Sequence, residues 1–259
     1  MRKSVLAADL PAYPFVIGHR GCGRRTSADG FFENTIAGFV NAAAQGAAWV
    51  EVDAKLNADR VLVLRHNMHY DQTPVASMTS AACRRAGLPT LDDVHGALPA
   101  RVGIDLEVKF GPADATGLDT IDACVAWAAA HGNERPILVT SFDPSVTAAT
   151  TVARLPSGWI TRAGWPLYES VTSAARLGCA AAVAHASEVV DINPDHPGPE
   201  TISGLLADTG VRLWVWDALA KDVPLLISRG VTGLITDDIA GVVAALGGLP
   251  LAPGARAAA

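Results

Sequence analysis

The chain lacks the cysteine patterns that build disulfide frameworks or zinc sites. Its four cysteines, Cys22, Cys83, Cys124 and Cys179, lie far apart, with no Cys-x-x-Cys pair and no Cys/His group at zinc spacing. We therefore expect reduced thiols that mostly serve as small buried packing residues.

An excess of positive charge and a long apolar run are absent as well. The net charge is −6, so no general field would attract nucleic acid or an anionic membrane, and any phosphate site must be local. No segment approaches the roughly 20 apolar residues of a membrane span. Asp9, Pro11 and Pro14 interrupt the stretch that a signal peptide would need. We expect a cytoplasmic protein with no nucleic-acid partner and no stable membrane insertion, and the oligomeric state stays open.

What the chain has in abundance is apolar sequence. Half of its residues are hydrophobic and only 18% are charged, which is typical of a globular protein with a large core. Its 259 residues suit one barrel of alternating strands and helices. With no internal repeat or domain boundary, we expect a single domain over residues 1–247 and a flexible tail over 248–259.

Short β-branched runs alternate with longer Ala/Leu-rich stretches, and this rhythm predicts repeated β-α units. The candidate strands are 15–19, 48–53, 61–66, 102–108, 136–140, 158–161, 179–184, 211–216 and 232–236. The candidate helices are 34–45, 114–131, 144–154, 168–177, 199–209, 219–229 and 238–246, with a further short helix in the irregular segment 67–98.

Nine strands are one too many for a closed eight-stranded barrel, and the connection lengths identify the extra one. Only the short polar turn Asn57–Arg60 joins strand 48–53 to strand 61–66, whereas a parallel crossover needs a dozen or more residues. Strand 61–66 should therefore fold back antiparallel. The predicted fold is a single (β/α)8 TIM barrel with an added β-hairpin after strand 2. A turn centred in the middle of the polar segment would place His66 opposite Glu51.

The first group of chemically useful residues is Glu51 and Asp53. Residues two apart on a strand point to the same side, so the two carboxylates share one face. Buried together they would repel and take up protons unless a cation lay between them, which favours a hard metal ion. The alternative is a pair of salt-bridged residues at the barrel rim.

The same two-residue period places Asp105, Glu107 and Lys109 on one face of a later strand, with apolar residues on the other. The apolar side should pack under the helices, so the charged row should face into the barrel. Glu107 could complete an all-oxygen Mg²⁺ or Ca²⁺ site, and Lys109 would face an anion held there. Alternatively, Glu107 and Lys109 simply neutralise each other.

Two histidines at strand ends form the third group. His19 and His66 are predicted to lie beside the same carboxylates, where imidazoles of near-neutral pKa can give and take a proton. The other histidines have no such support, and we expect structural roles for His69, His95, His131, His185 and His196.

In order along nearly the whole chain, these residues resemble the glycerophosphodiester phosphodiesterase family. The matching stretches are GHRG (18–21), ENT (33–35), GAAWVEVDAKLNADRVLVLRHN (46–67), LPTLDDV (88–94), IDLEVK (104–109), TSF (140–142), LWVWDA (213–218) and GVTGLITDD (230–238). The resemblance implies a TIM barrel that hydrolyses a glycerophosphodiester to glycerol phosphate and an alcohol, a reaction of lipid metabolism.

The resemblance also assigns roles to individual residues. His19 and His66 would be the general acid and base, and Arg20 and Lys109 would contact the phosphate. One Mg²⁺ or Ca²⁺ would be held by Glu51, Asp53 and Glu107. An apolar wall for the glycerol or alcohol group would come from the aromatic residues Phe142 and Trp216, although Trp216 could equally be a core residue with its N–H satisfied.

The sequence departs from the family pattern in a few places. Asn67 stands where the family usually has an aspartate after the histidine, so any charge that this aspartate lends to His66 is missing. Arg24 and Arg25 lie in a long loop and could reach an anionic substrate, although a solvated charge pair is the simpler interpretation. Asp237 and Asp238 most simply cap the last helix.

Several alternatives stay open at this stage. Either water or a neighbouring hydroxyl of the substrate could attack phosphorus, and the second route would give a cyclic phosphate as the final product. A third possibility is a non-catalytic protein that binds phosphate esters. Neither the alcohol nor the choice between Mg²⁺ and Ca²⁺ follows from the sequence.

Overall fold

A closed ring of eight parallel strands forms the centre of the protein. The structure is a computed structural model that describes residues 10–24, 30, 32–110, 117–192 and 195–249. In ring order the strands are β1 (Phe15–Gly18), β2 (Trp49–Leu56), β6 (Gly103–Val108), β7 (Ile137–Ser141), β8 (Ser157–Ile160), β9 (Ala181–His185), β10 (Arg212–Trp216) and β11 (Val231–Thr236). β1 pairs in parallel with both β2 and β11, which closes the ring and confirms the predicted TIM barrel.

Helices connect the strands. They are α1 (Ile36–Ala44), α2 (Ser80–Arg85), α3 (Leu91–Ala97), α4 (Gly117–His131), α5 (Pro144–Ala153), α6 (Leu167–Leu177), α7 (Ala186–Val190), α8 (Pro199–Thr209), α9 (Val223–Ser228) and α10 (Ile239–Gly247). Within the described ranges no helix is long and apolar enough to cross a membrane. Of the predicted tail, residues 250–259 lie outside the described residues.

The predicted extra strand is β3 (Leu62–Leu64), which pairs antiparallel with β2 outside the ring. The predicted register, however, was wrong by one residue. Placing His66 opposite Glu51 would put Leu64 opposite Asp53, whereas Leu64 pairs with Ala54. The Asn57 N–H donates to Val61 O (3.0 Å), which leaves three residues in the loop, and Arg60 takes a left-handed φ of 61°. A three-residue loop ending in a left-handed residue shifts the pairing relative to a symmetric turn.

The connection from 67 to 98 contains more structure than the sequence indicated. It holds a small hairpin, β4 (His69–Tyr70) and β5 (Thr73–Pro74), and the unpredicted helix α2. The short helix expected here is α3. It begins with a capping box in which Thr90 and Asp93 satisfy each other's backbone N–H groups, so its start is encoded locally.

The alternation on β6 sorts its side chains as predicted. Ile104, Leu106 and Val108 pack under the helices in the main hydrophobic core, and the interleaved Asp105 and Glu107 are also buried. The two-residue strand period therefore separates an apolar outer layer from a charged interior at the upper end of the barrel.

Aromatic rings fill the lower end of the barrel. Phe15, Trp49 and Trp214 pack with ring centroids 5.4 to 5.8 Å apart. Gly103 and Gly233 lie directly against the Trp49 and Trp214 rings, so a β-carbon at either position would overlap an indole. The barrel is thus closed from below, and its open end is the end where the strands finish.

All four cysteines lie within the described ranges, are buried and form no disulfide. This confirms the expectation of packing thiols. Burial raises the pKa of the Cys83 and Cys179 thiols, as it does for Cys124, so the neutral form is favoured at all three positions.

Candidate active site

The predicted site residues converge at the carboxyl ends of the barrel strands. A cavity of about 160 Å³ opens there, and it is lined by the predicted residues His19, Arg20, Glu51, His66, Glu107, Lys109, Phe142 and Trp216. Asp53, the ninth predicted residue, lies within 4.8 Å of Glu51 and Glu107 through its carboxylate and is completely buried. The chain therefore brings the predicted set to one place.

Two of the carboxylates are each held through one oxygen. Glu51 Oε2 accepts a hydrogen bond from the Arg20 backbone N–H (2.7 Å), and Asp53 Oδ2 accepts one from Asn34 Nδ2 (2.7 Å). Among the described residues, the other oxygens, Glu51 Oε1 and Asp53 Oδ1, are buried and accept no hydrogen bond. Two oriented carboxylates, one of which has a buried oxygen without a hydrogen bond or ion pair in the described part of the chain (Glu51 Oε1), together with Glu107, suit a hard divalent cation.

The electrostatics of these carboxylates differ. Burial and the neighbouring charges of Asp53 and Glu107 raise the pKa of Glu51 well above its ordinary value. Burial alone would also raise the pKa of Asp53, but Lys109 and Arg20 outweigh it and lower the pKa to about 2. Burial raises the pKa of Asp105, deeper in the barrel, to about 8 despite its hydrogen bond from Thr140. The unequal pKa values mark a crowded acidic cluster, and a bound cation would offset the repulsion between its carboxylates.

Two cations face this cluster. Lys109 Nζ lies 3.3 Å from Asp53 Oδ1 and also forms an ion pair with Glu107. Arg20 donates to Glu33 (Nη1 to Oε2, 2.8 Å), and its Nε lies 3.6 Å from Asp53 Oδ2. Burial opposes the charge on each, but the surrounding carboxylates outweigh it and raise the pKa of both groups. Both stay charged and point into the cavity region.

His19 has a partner that the sequence did not reveal. Its Nδ1 lies 2.6 Å from Asp237 Oδ1, while Arg24 donates to both Asp237 and Asp217. The expectation that Asp237 caps the last helix was therefore wrong. Only Asp238 does so, by accepting from the Gly241 N–H.

The solvated charge pair expected at the loop arginines was also wrong for Arg24, because Arg24 bridges two carboxylates at the cavity, and Arg25 lies outside the described residues. Burial would raise the pKa of Asp237, but hydrogen bonds and charge from His19 and Arg24 lower it to about 2. The only hint in the sequence was the Thr-Asp pair at the end of the last strand.

His66 reaches the cavity from the segment after β3. It does not lie opposite Glu51 as predicted. The Arg65 N–H donates to Asp53 O (2.9 Å), so the one-residue shift in the pairing of β2 and β3 continues to this point. Asn67 lies beside it, with Oδ1 3.2 Å from His66 Nδ1. Buried Lys55 donates from Nζ to the backbone carbonyls of His66 (3.1 Å) and Asn67 (2.9 Å), so it fixes this segment. Lys55 continues the charged row of Glu51 and Asp53 at the same period, a signal that could have identified it.

The two predicted aromatic residues form part of the cavity wall. Phe142 is 37% exposed, and Lys109 Nζ lies 5.7 Å from its ring centroid. Trp216 donates its indole N–H to Thr161 O (3.1 Å) and packs edge-on against the His185 ring. His185, expected to be structural, thus lies at the mouth, next to a second cavity of about 510 Å³ that shares Arg24 with the first.

Comparison with known proteins identifies the family. Residues 19–240 match the sequence model of the glycerophosphoryl diester phosphodiesterase family, which spans most of the chain. The chain belongs to this family. The membership confirms the resemblance seen in the sequence and accounts for the shared order of the GHRG, Glu-x-Asp and Glu-x-Lys segments.

Individual family members differ in how much of their length matches. A glycerophosphodiester phosphodiesterase of Caldanaerobacter subterraneus subsp. tengcongensis is 27% identical over 247 residues, covering 86% of this chain and 93% of that protein. The glycerophosphocholine phosphodiesterase of Homo sapiens is 44% identical over 71 residues, which is 26% of this chain. The chain spans only 11% of that relative.

Solved structures of the family share the fold. A glycerophosphodiester phosphodiesterase from Parabacteroides distasonis superposes with a TM-score of 0.74 at 19% identity, covering 92% of this chain and 98% of the other. An Oleispira antarctica phosphodiesterase, solved in complex with the product sn-glycerol-3-phosphate, gives a TM-score of 0.71 at 21% identity, covering 91% and 97%.

Proposed function

We propose that the protein hydrolyses a glycerophosphodiester to glycerol phosphate and an alcohol. The observation that carries this proposal is the convergence of His19, His66, Lys109 and the carboxylate cluster on one cavity at the open end of the barrel. Family membership supports the reaction class. The product complex of the Oleispira antarctica relative supports a small phosphate ester as the ligand.

The cations would bind the phosphoryl group. Lys109 stays protonated because Asp53 and Glu107 surround it, so it can offer its ammonium group to a phosphate oxygen entering the cavity. Arg20 is tied to Glu33 and contributes charge more than mobility. Together they would offset the negative charge that grows on the phosphoryl oxygens in the transition state.

His19 and His66 would move the protons. Asp237 is ionised and can only accept a hydrogen bond, so it holds the proton of a neutral His19 on Nδ1 and leaves Nε2 basic. Burial is the main cause that lowers the pKa of His66, which favours the neutral ring that can accept a proton at neutral pH. One ring would take a proton from the attacking water or substrate hydroxyl, and the other would give one to the departing alcohol; if the hydroxyl attacks, water opens the cyclic phosphate in a second step.

Glu51, Asp53 and Glu107 would hold one divalent cation, Mg²⁺ or Ca²⁺. The buried Glu51 Oε1, which accepts no hydrogen bond from the described residues, fits this assignment, since an all-carboxylate set is what these hard ions bind. When bound, such an ion neutralises phosphate charge and lowers the pKa of a coordinated hydroxyl or water. Two of the three carboxylates, Glu51 and Asp53, are already oriented by the Arg20 backbone N–H and by Asn34.

The test is a panel of glycerophosphodiesters bearing choline, ethanolamine, glycerol or inositol. The protein is stripped with EDTA, Mg²⁺ or Ca²⁺ is added back, and products are followed by phosphorus NMR. We expect a phosphate monoester, with turnover lost in EDTA and restored by metal. A cyclic phosphate as the final product would instead establish intramolecular transfer. Absence of turnover on every member of the panel with metal present would refute the enzymatic proposal.

Two substitutions test the histidines within the same assay. His19→Ala and His66→Ala should each lower kcat by roughly 10²- to 10⁴-fold, the usual contribution of acid-base catalysis. His69→Ala is the matched control, because His69 is exposed and lies only three residues from His66. Unchanged turnover in either cavity variant would remove that histidine from the mechanism.

A further inference from the structure

A second cluster of potential metal ligands lies away from the cavity. His95 is in the last turn of α3, His131 is the last residue of α4, and Glu134 follows in the loop before β7. Helices of a (β/α)8 barrel run back against the strands, so both helix ends lie at the closed end of the barrel. The cluster is therefore separate from the carboxylates at the mouth.

The three side chains converge on one point. His95 Nε2 lies 3.4 Å from Glu134 Oε2, and His131 Nδ1 lies 3.4 Å from Glu134 Oε1. One ligand atom from each residue falls within 4.8 Å of the others. Within the described part of the chain, both of these imidazole nitrogens are buried and have no hydrogen-bond partner. Two buried imidazole nitrogens thus face one carboxylate without forming a hydrogen bond to it.

The surrounding contacts hold the rings in place. Trp127 packs against both, with centroids 5.5 Å from His95 and 4.6 Å from His131, and its indole N–H donates to Asp92 Oδ1 (2.7 Å). The two imidazoles pack 4.4 Å apart. Glu134 is 57% exposed on its side chain, which leaves a path from solvent. Ligands fixed by packing, with one open side, meet the requirements of a preorganised metal site.

An ordinary ion pair explains this geometry poorly. Arg135 donates to the carbonyls of His95 (2.7 Å) and Leu98 (3.2 Å), so a fixed positive charge already lies beside His95. This charge disfavours a protonated His95 as the ion-pair partner of Glu134. A neutral ring offers a lone pair, which is the form that binds metals.

We propose that His95, His131 and Glu134 bind a zinc-class transition-metal ion that joins the ends of α3 and α4. Two imidazoles and a carboxylate with an open fourth position are a familiar zinc ligand set. In a tetrahedral site with bonds of about 2.0 to 2.1 Å, neighbouring ligand atoms lie about 3.3 Å apart. In this structure each histidine nitrogen lies 3.4 Å from a different oxygen of Glu134, and one ligand atom per residue lies within 4.8 Å of the others, so a small rotation of the Glu134 carboxylate would bring one oxygen to that spacing. Imidazole ligands favour zinc over magnesium or calcium, so the two sites should differ in metal preference.

The experiment measures zinc stoichiometry by equilibrium dialysis and elemental analysis, using the metal-stripped full chain in excess Mg²⁺. The background is Asp53→Asn, which weakens the site at the mouth. We expect this variant to retain one equivalent of zinc and to gain thermal stability from it. Adding His131→Gln or Glu134→Gln should remove both the bound zinc and the stabilisation, whereas adding exposed His69→Gln should change neither.

Glu134 is largely exposed, so we expect Glu134→Gln to leave the fold intact, which circular dichroism verifies. Loss of zinc from this variant can then be assigned to the missing ligand and not to unfolding. Zinc retained after both His131→Gln and Glu134→Gln would overturn the proposal. So would a folded Asp53→Asn chain that binds no zinc. Neither result depends on phosphodiesterase activity, so failure of the proposed function would leave this test unaffected.

Discussion

At the scale of single residues, the decisive feature is the contact between His19 and Asp237. The two residues are 218 positions apart and meet because β1 and β11 are neighbours in the ring. An ionised aspartate fixes the ring orientation and tautomer of its histidine. Asp237 is therefore a positioning residue for the proposed acid-base pair.

Replacing Asp237 should impair turnover more than substrate binding. We expect Asp237→Asn to lower kcat by at least about 10-fold, and by no more than the 10²- to 10⁴-fold contributed by the histidine itself. KM should change little, because Asp237 acts through the His19 ring and does not hold the substrate. Asp238→Asn is the matched control, because Asp238 only caps α10. Equal losses of kcat in the two variants would contradict the positioning role.

The same aspartate should contribute to stability in a defined pH range. Its pKa is lowered from 3.8 to about 2 in the folded protein, so its contribution is complete above pH 3.8 and disappears as the pH falls towards 2. Urea midpoints of the wild type and Asp237→Asn should therefore converge as the pH is lowered from 5 through that range. A gap that stays constant down to the acid limit of the native state would argue against the shift.

At the scale of elements, the β2–β3 hairpin shows how a single side chain sets a register. Asn57 Oδ1 accepts from the backbone N–H groups of Asp59 (3.1 Å) and Val61 (2.9 Å), and its Nδ2 donates to Ser80 Oγ (3.0 Å). The sequence predicted the antiparallel return from the short connection alone. It did not predict the register, because that depends on these side-chain bonds and on the left-handed Arg60.

Removing that side chain should be costly. Asn57 is 1% exposed, and Asn57→Ala removes the acceptor of the part-buried Asp59 and Val61 N–H groups, so we expect the free energy of unfolding to fall by about 1 to 3 kcal/mol. Asn133→Ala, at an exposed turn position, should stay within about 0.5 kcal/mol of the wild type. Urea unfolding measures both. A cost for Asn57→Ala no larger than that of the control would show that the turn does not depend on these bonds.

At the scale of the whole molecule, closure of the lower end of the barrel depends on glycine next to the packed rings of Phe15, Trp49 and Trp214. A β-carbon on Gly103 would lie 2.2 Å from the Trp49 ring, in the core of the barrel's closed end. We expect Gly103→Ala to lower the free energy of unfolding by about 1 to 3 kcal/mol through overpacking. A free energy of unfolding equal to that of the wild type would mean that the Trp49 ring can shift to make room.

Gly204 provides the opposite case for comparison. It lies within α8, and a β-carbon there would meet nothing within 4 Å. Gly204→Ala should raise the free energy of unfolding by about 0.5 to 1 kcal/mol, since alanine favours the helix and restricts the unfolded chain. Thermal or urea unfolding of the two alanine variants tests whether the room for a β-carbon decides the sign of the stability change.

Much of the architecture follows from the sequence by itself. Connection lengths separated eight ring strands from one hairpin strand, and the two-residue period placed Glu51, Asp53 and Glu107 on inward faces. These properties are local, because strand parity and loop length act over a few residues. The motifs at strand ends carried the family resemblance for the same reason.

Only the tertiary structure decided which distant groups meet. Closure of the ring brings Asp237 to His19 and Arg24, and β1 and β2 lie side by side so that Asn34 reaches Asp53, although no local pattern along the chain records these contacts. Packing of α3 against α4 likewise pairs His95 with His131, which the sequence could treat only as isolated histidines. The physical reason is that such contacts depend on the closed arrangement of all the elements, and no local pattern of residues records it.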